Sequence, residues 1–331
     1  MIERSSHQRS LGAPGFDITL VGDTNLDVLM YGLPEELPCE RELLASEMAI
    51  RVGGSGAITA HNLAALGNGV GFITTVPGDE FGQLCQMELR TVGVDLSRCV
   101  QMPEARTGVT VHLQHSEQRH MFTYAGATFQ LGFDHLDLGY LTDARHFHMS
   151  SYYLQRALTS RIPELFAELK SAGLTVSLDP NDDPAQTWDR TILDSLPFVD
   201  VLMPNEREAC LIAGEQNLRQ AVATLRSMVP LVVIKRSAKG ASAYSRDNEW
   251  HALAESVQIV DAVGAGDSFN SGFLHGWTRG WEIQRALAFG NRCGAMSTSM
   301  SGGTSAFRDR ASLKALESAT TMQVVEVRAG G

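Results

Sequence analysis

The chain has 331 residues, 44% hydrophobic and 20% charged, a balance typical of a globular α/β protein with a sizeable core. Its 27 basic and 38 acidic side chains give a formal charge of −11 with no basic run, which argues against a nucleic-acid partner. The five cysteines form no CxxC pair and predict neither a disulfide framework nor a zinc site, so a reducing, cytoplasmic location is expected.

The ends and the overall division of the chain give few signals. Residues 1–15 are polar and are predicted to form a flexible N-terminal tail. No apolar run approaches the length needed to cross a bilayer, so no membrane is expected as a partner. Because no linker or repeat divides the rest, residues 16–331 are predicted to form a single domain.

The first motif in chain order is a polar segment after the apolar run Asp17–Val21. It contains Asn25 and Asp27. Ligands gather at the carboxyl ends of strands in parallel α/β sheets, which makes these two side chains candidate substrate contacts. Asn and Asp also favour turns for local reasons, so ordinary turn formation explains them equally well.

The second motif is a glycine-rich segment, Gly53–Gly67, in which paired glycines lead into an alanine-rich helix. Gly53 and Gly54 permit close approach of a ligand to the backbone. The segment also resembles the start of a dinucleotide-binding fingerprint, but Thr59 replaces its third glycine. A dinucleotide-dependent oxidoreductase therefore stays open as an alternative.

A change of period marks a predicted β-hairpin between Gly108 and Tyr124. With an edge strand from Arg41–Arg51, it is expected to form a small β lid built from residues 39–52 and 107–126. The apolar residues of this hairpin indicate either a lid over a site or a pairing surface for a second copy of the chain.

Three later turns carry polar groups after predicted strands. The carboxylates of Asp179–Asp183 indicate either a metal site or a solvated loop. Asn205 and Glu208 share a face at a helix start, as in a magnesium-directing pair or a plain capping box. The basic turn Lys235–Gly240 is suited either to phosphate or to the open surface.

The most informative segment is Asp261–Asp267. It follows the β-prone run Val257–Val260 and is predicted to be a strand, a tight turn and a helix carrying Phe269, Phe273 and Trp277 on one face. Free N–H groups at the helix N-terminus would cradle an anion, and Asp267 at the mouth of this cradle suggests a base. At a helix N-terminus this carboxylate is expected to be ionised and only weakly basic.

Taken together, these parts are those needed to move a phosphoryl group, a reaction that depends mostly on positioning and charge stabilisation. The chain lacks the GxxxxGK[ST] loop and the protein-kinase motif set, which excludes those two classes of kinase.

The Asp261–Asp267 segment resembles the DTxGAGD element of the ribokinase-like, or PfkB, carbohydrate kinases, and Gly53–Gly67 resembles the N-terminal glycine motif of that family. The similarity covers nearly the whole chain after residue 16. It implies an α/β fold with a doubly wound, mostly parallel sheet flanked by helices and a small β lid. It also implies ATP-dependent phosphorylation of a hydroxyl on a sugar or sugar-like alcohol.

By the same resemblance, roles are carried to matching positions. Asp267 would be the base, Gly264, Ala265 and Gly266 the anion hole, Asn25, Asp27, Gly53, Gly54 and Ile58 the acceptor side, and Asn205, Lys235, Ser237, Lys239, Gly240 and Asn291 the ATP side. Glu208 would direct Mg²⁺ through water, the backbone near Asp261 would adjoin a K⁺ site in some relatives, and the lid would support a homodimer.

Three departures from the family pattern bear on the substrate. Ile58 replaces a usual Asn, Ser237 a frequent glycine, and Asp183 an Arg found in many sugar kinases. The last change argues against an acidic substrate. An adenosine-like nucleoside kinase and a catalytically silent sugar-binding protein remain as alternatives.

Overall fold

The computed structural model describes residues 14–115, 118–318 and 324–328. The predicted flexible tail, residues 1–15, lies almost wholly outside the described residues. Among the described residues, no helix is long and apolar enough to span a membrane.

The strands are β1 Phe16–Val21, β2 Asn25–Tyr31, β3 Glu47–Gly53, β4 Val70–Ile73, β5 Thr75–Pro77, β6 Val100–Met102, β7 Gly108–His115, β8 Gln118–Tyr124, β9 Ala144–Ser150, β10 Thr175–Asp179, β11 Val201–Leu202, β12 Leu231–Lys235, β13 Ala241–Tyr244, β14 Asn248–Ala252 and β15 Val324–Arg328. The helices are α1 Ser55–Ala65, α2 Glu80–Val92, α3 Leu138–Leu141, α4 Ile162–Ser171, α5 Ile192–Ser195, α6 Glu206–Ala213, α7 Leu218–Leu225, α8 Ala265–Trp277, α9 Ile283–Thr298 and α10 Arg310–Ser318.

The main sheet has the order β15-β14-β13-β12-β11-β10-β9-β1-β4. Its strands from β12 to β4 are parallel, and β13, β14 and β15 continue it in antiparallel fashion. This arrangement confirms the predicted doubly wound, mostly parallel sheet. Because β4 and β9 lie on opposite sides of β1, the strand order reverses at β1, and ligands bind at such a switch point.

Two hydrophobic cores cover the two faces of the main sheet. Along β12, Val233 belongs to the core that contains residues of α1 and α8, and its neighbours Val232 and Ile234 belong to the core that contains residues of α4, α6 and α7. This alternation is expected for a parallel strand covered by helices on both faces. The sheet is therefore a rigid support for the turns at its carboxyl edge.

A second, four-stranded sheet has the order β3-β2-β7-β8. It contains the predicted hairpin, but it differs from the predicted lid at two places. Asn25–Tyr31, predicted to begin in a turn, pairs as a strand with both β3 and β7. The 39–46 part of the predicted lid contains no strand.

The run Val257–Val260, predicted to be a strand, is also different in the structure. It forms no strand, and Val257, Ile259 and Val260 are exposed. At its end the backbone is held by helix α9 instead of a strand, since the N–H groups of Val260 and Asp261 donate to Thr298 O at 2.8 and 3.1 Å.

Candidate active site

The carboxyl edge of the main sheet brings together polar residues from four strands. Asp23 follows β1, Ser151 follows β9, Asp179 ends β10 and Lys235 ends β12. Helix α8 adds Asp267 from its first turn. All these residues are largely buried, so the edge is a closed polar site rather than a solvated rim.

The N-terminus of α8 has the geometry predicted for an anion cradle. Gly264 has a φ of 71°, and a Cβ there would collide with the backbone of Gly303, so glycine is required. Among the described residues, the N–H groups of Gly264 and Gly266 have no hydrogen-bond acceptor, and that of Ala265 reaches only Ala262 O at 3.3 Å. The cradle thus has donors available to an anion.

The protonation of Asp267 differs from the sequence prediction of a weak base. Burial and then the negative charge of Asp179 raise the pKa of Asp267 to about 7, although Lys235 acts in the opposite direction. The helix N-terminus was expected to keep this pKa low, but loss of solvent and a second carboxylate outweigh it. Asp267 is therefore a stronger base than the sequence predicts.

A buried ion pair lies beneath the cradle. Lys235 Nζ contacts Asp179 Oδ2, and the Asn270 amide donates to the same oxygen. A Cβ built on Gly266 would lie 3.7 Å from Lys235 Nζ, which places the ammonium directly beside the cradle. Burial opposes the charged form of Lys235, but Asp179 and Glu208 raise its pKa overall. Lys235 is charged at this site.

Asp23 joins the glycine motif to the site. Its Oδ1 accepts the Gly56 N–H at 3.1 Å, and a Cβ at Gly56 would contact the Gly22 and Asp23 backbone at 2.8 to 3.0 Å. Burial raises the pKa of Asp23. The nearby Ser55 hydroxyl accepts from the Asn181 amide at 3.0 Å, which connects the motif to the turn after β10.

Asn205 and Glu208 form a complete capping box at the start of α6. Glu208 N–H donates to Asn205 Oδ1 at 2.9 Å, and Asn205 N–H donates to Glu208 Oε2 at 2.8 Å. Burial raises the pKa of Glu208 to about 7, with Lys235 acting against it. An isolated parallel β-bridge between the backbones of Asn205 and Lys235 places the capping box next to the ion pair. Helix capping and a role at the site are therefore compatible.

The basic turn after β12 is neutralised at its surface. Arg236 donates to Glu206 at 2.8 Å, and Lys239 lies 3.6 Å from the same carboxylate. Ser237 has a φ of 51°, the left-handed conformation that glycine adopts without strain. Gly240 packs against the 252–254 backbone, which the buried Asn291 amide holds by donating to Ala252 O at 2.9 Å and to Leu253 O at 3.0 Å.

The predicted acceptor-side residues lie mostly on the small sheet. Asn25 and Asp27 are on β2, Asn25 accepting from Thr128 at 3.0 Å, and Gly53 lacks a Cβ where the Asp27 carboxylate packs. Ile58 lies in helix α1 rather than on the small sheet. Its Cδ1 would be 3.2 Å from a Cβ at Gly264, so it packs against the anion cradle.

Asp261 has a role that the sequence did not predict. Its carboxylate accepts from Tyr31 and Gln114 of the small sheet, at 2.9 and 2.8 Å. It also accepts the N–H groups of Val263 and Gly302, each at 2.9 Å. One buried side chain thus ties the small sheet to the segment that carries the cradle.

The carboxylates of Asp179–Asp183 do not converge on a metal site. Asp179 faces Lys235, Asp182 pairs with Arg207 on the surface, and Asp183 accepts N–H groups of its own loop, among them Trp188 at 2.8 Å. Among the described residues, no group of three or more His, Cys, Asp or Glu side chains is placed to hold a metal ion.

Sequence reasoning missed Asp23 as a site residue, considered Asp179 only as a possible metal ligand or loop residue, and missed Asn270. A signal for the first two was present, because each comes at the end of an apolar strand, where ligands gather. Asn270 had no comparable signal. It follows Asp267 by three residues on α8 and only a helical projection places both on the same face.

A family model described as pfkB family carbohydrate kinase matches residues 16–310. An ATP-dependent ribose-1-phosphate kinase of Halopiger xanaduensis is 30% identical over 77% of this chain and 82% of its own length. An Escherichia coli fructokinase is 29% identical over 90% of this chain and 98% of its own. An E. coli protein described as a proposed ribokinase II, solved with ATP and Mg²⁺, is 25% identical with a TM-score of 0.77 over 91% of this chain and 98% of that one.

Proposed function

Because the chain belongs to the pfkB family of carbohydrate kinases, we propose that it transfers the γ-phosphate of ATP to a hydroxyl of a neutral sugar or sugar-like alcohol. The observation that carries this proposal is the buried Asp267 carboxylate, with its raised pKa, beside the free N–H groups at the start of α8. A base and an anion cradle one residue apart are what phosphoryl transfer to an alcohol requires.

In the proposed reaction, the acceptor hydroxyl donates its hydrogen bond to Asp267. The alcohol oxygen attacks the γ-phosphorus in line, the bond to the β–γ bridging oxygen breaks, and ADP leaves with that electron pair. The hydroxyl proton passes to Asp267 as the new P–O bond forms. The N–H groups of Gly264, Ala265 and Gly266 stabilise the charge on the transferring group.

On the acceptor side, Asn25, Asp27, Gly53 and Gly54 would hold the sugar, with Ile58 behind the cradle. A neutral acceptor is supported by Asp183, which stands where many sugar kinases have Arg and is occupied by its own loop. A nucleoside is the second candidate acceptor, because Ile58 makes its position in the glycine motif more apolar than in most sugar kinases of the family.

On the nucleotide side, Lys235 would contact the phosphates, and Ser237, Lys239, Gly240 and Asn291 would shape the nucleotide turn. The described residues offer no multi-carboxylate cage, which fits an ion held mainly by phosphates and water, as Mg²⁺ prefers. Glu208, beside Asn205, would hold a water of this ion, which supplies charge neutralisation at the phosphates. A K⁺ ion near Asp261 would rely on backbone oxygens, because the carboxylate already accepts four hydrogen bonds.

The test of the base is Asp267→Asn. We expect a folded protein that binds ATP and turns over at least about 10³-fold more slowly, in line with the loss of a general base. In the wild type, kcat/KM should rise as the pH increases through about 7, because Asp267 must lose its proton to act. ADP release is measured with D-ribose, D-fructose, cytidine and adenosine.

Asp182→Asn is the matched control, because Asp182 is a surface carboxylate paired with Arg207 outside the cradle. It should keep wild-type turnover. Wild-type turnover in Asp267→Asn would refute the mechanism. Sugar binding without ADP release from any acceptor would favour the silent sugar-binding alternative, and NADH binding without ATP consumption would favour an oxidoreductase.

We also propose that the small sheet pairs two copies of the chain. Its outer face exposes Met48, Ile50, Phe122 and Tyr124, an apolar surface that a second copy would cover. Phe122→Glu would place a charge in this interface. We expect light scattering to show a dimer for the wild type and a monomer for the variant, whereas a wild-type monomer would exclude this pairing.

A further inference from the structure

The inner face of the small sheet faces the reaction site. Tyr31 and Gln114 project from this face onto Asp261, at the start of the segment that carries the anion cradle. Asp27 lies on β2 at an even spacing from Tyr31, and His112 lies on β7 two residues before Gln114. Because side chains alternate along a strand, Asp27 and His112 share this inner face.

His112 is buried without a hydrogen bond. Its side chain is 6% exposed, and neither ring nitrogen has a partner among the described residues. Asp27 Oδ1 lies 3.4 Å from His112 Nε2, beyond good hydrogen-bond distance for these atoms. Buried polar groups in folded proteins are almost always paired, so an unpaired imidazole here calls for an explanation.

Asp27 is under-satisfied in the same way. Its side chain is also 6% exposed, and no donor in the described residues hydrogen-bonds to it. This contrasts with Asp261 on the facing segment, whose carboxylate accepts four hydrogen bonds. These two adjacent groups therefore have only each other, at 3.4 Å, and no hydrogen bond from any other described residue.

We propose that His112 is a specificity-determining residue that, with Asp27, reads two neighbouring hydroxyls of the acceptor. This inference rests on the proposed function and extends it to the substrate class. Nε2–H points toward Asp27, and Nδ1 accepts from one substrate hydroxyl while Asp27 accepts from the next. The acceptor is accordingly a polyol with vicinal hydroxyls, such as a furanose diol, rather than an alcohol with one isolated hydroxyl.

The direct experiment is binding, which does not depend on turnover. Calorimetric titration of the full chain uses D-ribose, D-fructose, cytidine and adenosine, with a monodeoxy analogue of whichever binds. We expect the wild type to lose at least about tenfold in affinity for the analogue that lacks one of the two hydroxyls, because the unpaired site group then stays buried. His112→Phe, a flat ring without nitrogens, should bind the parent and that analogue equally.

Two further variants separate recognition from packing. His112→Asn places an amide near the position of Nδ1 and should recover part of the discrimination, whereas His112→Leu should not. If His112→Phe weakens all ligands by the same factor, or keeps wild-type discrimination, the inference is overturned. Failure of the wild type to bind any of these polyols also overturns it.

Failure of the proposed function has a different signature. If the wild type binds a polyol with the expected discrimination but releases no ADP, the kinase proposal fails and the role of His112 stands. If ADP is released and His112→Phe leaves the KM for the polyol and its deoxy analogue unchanged, the kinase proposal stands and the role of His112 fails.

Discussion

The carboxyl edge of the main sheet and the inner face of the small sheet solve different problems. At the edge, Lys235 and the Asn270 amide both contact Asp179 Oδ2, so the charges beside the cradle are paired within the protein. On the inner face, Asp27 and His112 lie 3.4 Å apart and have no hydrogen bond among the described residues. Under the proposed function, we expect the charges at the edge to be set by the protein, whereas the acceptor would complete the hydrogen bonds of the inner face.

The substitution with the largest expected effect on this difference is Lys235→Met, which removes the charge and keeps a side chain of similar shape. The fully buried Asp179 would lose its counter-ion, at a cost of about 3–5 kcal/mol in folding stability. Because Lys235 holds the pKa of Asp267 down, the acidic limb of kcat/KM should move to higher pH, with turnover at pH 7 lowered about 100-fold. Steady-state kinetics across pH and thermal melting measure both effects.

Asp179→Asn is the matched variant for Lys235→Met, and it should shift the acidic limb of kcat/KM in the opposite direction. Asp179 raises the pKa of Asp267, so its removal should move the acidic limb to lower pH. A shift in the same direction for both variants would show that the ion pair does not control the base.

The connection between the two regions is tested by Asp261→Asn. An amide nitrogen cannot accept hydrogen bonds, so the donors on one carboxylate oxygen lose their partner. We expect the KM for the acceptor to rise about tenfold, with faster hydrogen exchange in β2 and β7, because the small sheet is less firmly held. Tyr31→Phe, which removes one of the four donors, should give a smaller change, and an equal or larger change would contradict this account.

The smallest expected effect lies in the nucleotide turn. Ser237→Gly should raise the melting temperature by about 2 °C or less, because glycine accepts the left-handed conformation of Ser237 with less strain. Calorimetry measures this shift. Ser237→Val, which is β-branched, should lower the melting temperature, and the opposite order of the two variants would exclude backbone strain at this position.

The sequence predicted those parts of the molecule that are set by nearby residues. Helix α8 forms after the glycine turn as predicted, and Phe269, Phe273 and Trp277 stack along one face. The predicted hairpin between Gly108 and Tyr124 is confirmed too, since β7 pairs with β8. Each of these elements has its turn residues and apolar period within a short window.

The parts that the sequence did not predict depend on distant partners. Strand β2 pairs with β3 and β7, whereas the sequence argument considered only the turn preference of Asn25 and Asp27. The basicity of Asp267 was misjudged because the local argument included the helix N-terminus and not Asp179, which arrives from another strand. Burial and like charge at a site are tertiary quantities.

The hydrogen bond between Tyr31 and Asp261 joins residues 230 positions apart in the chain. Contacts of such long range form late, because the entropy of closing the intervening chain must be overcome first. During synthesis, β2 is made long before Asp261 leaves the ribosome, so the hydrogen bond from Tyr31 to Asp261 cannot form at that stage. We expect the two halves of the site to assemble in the last stage of folding, after the main sheet is in place.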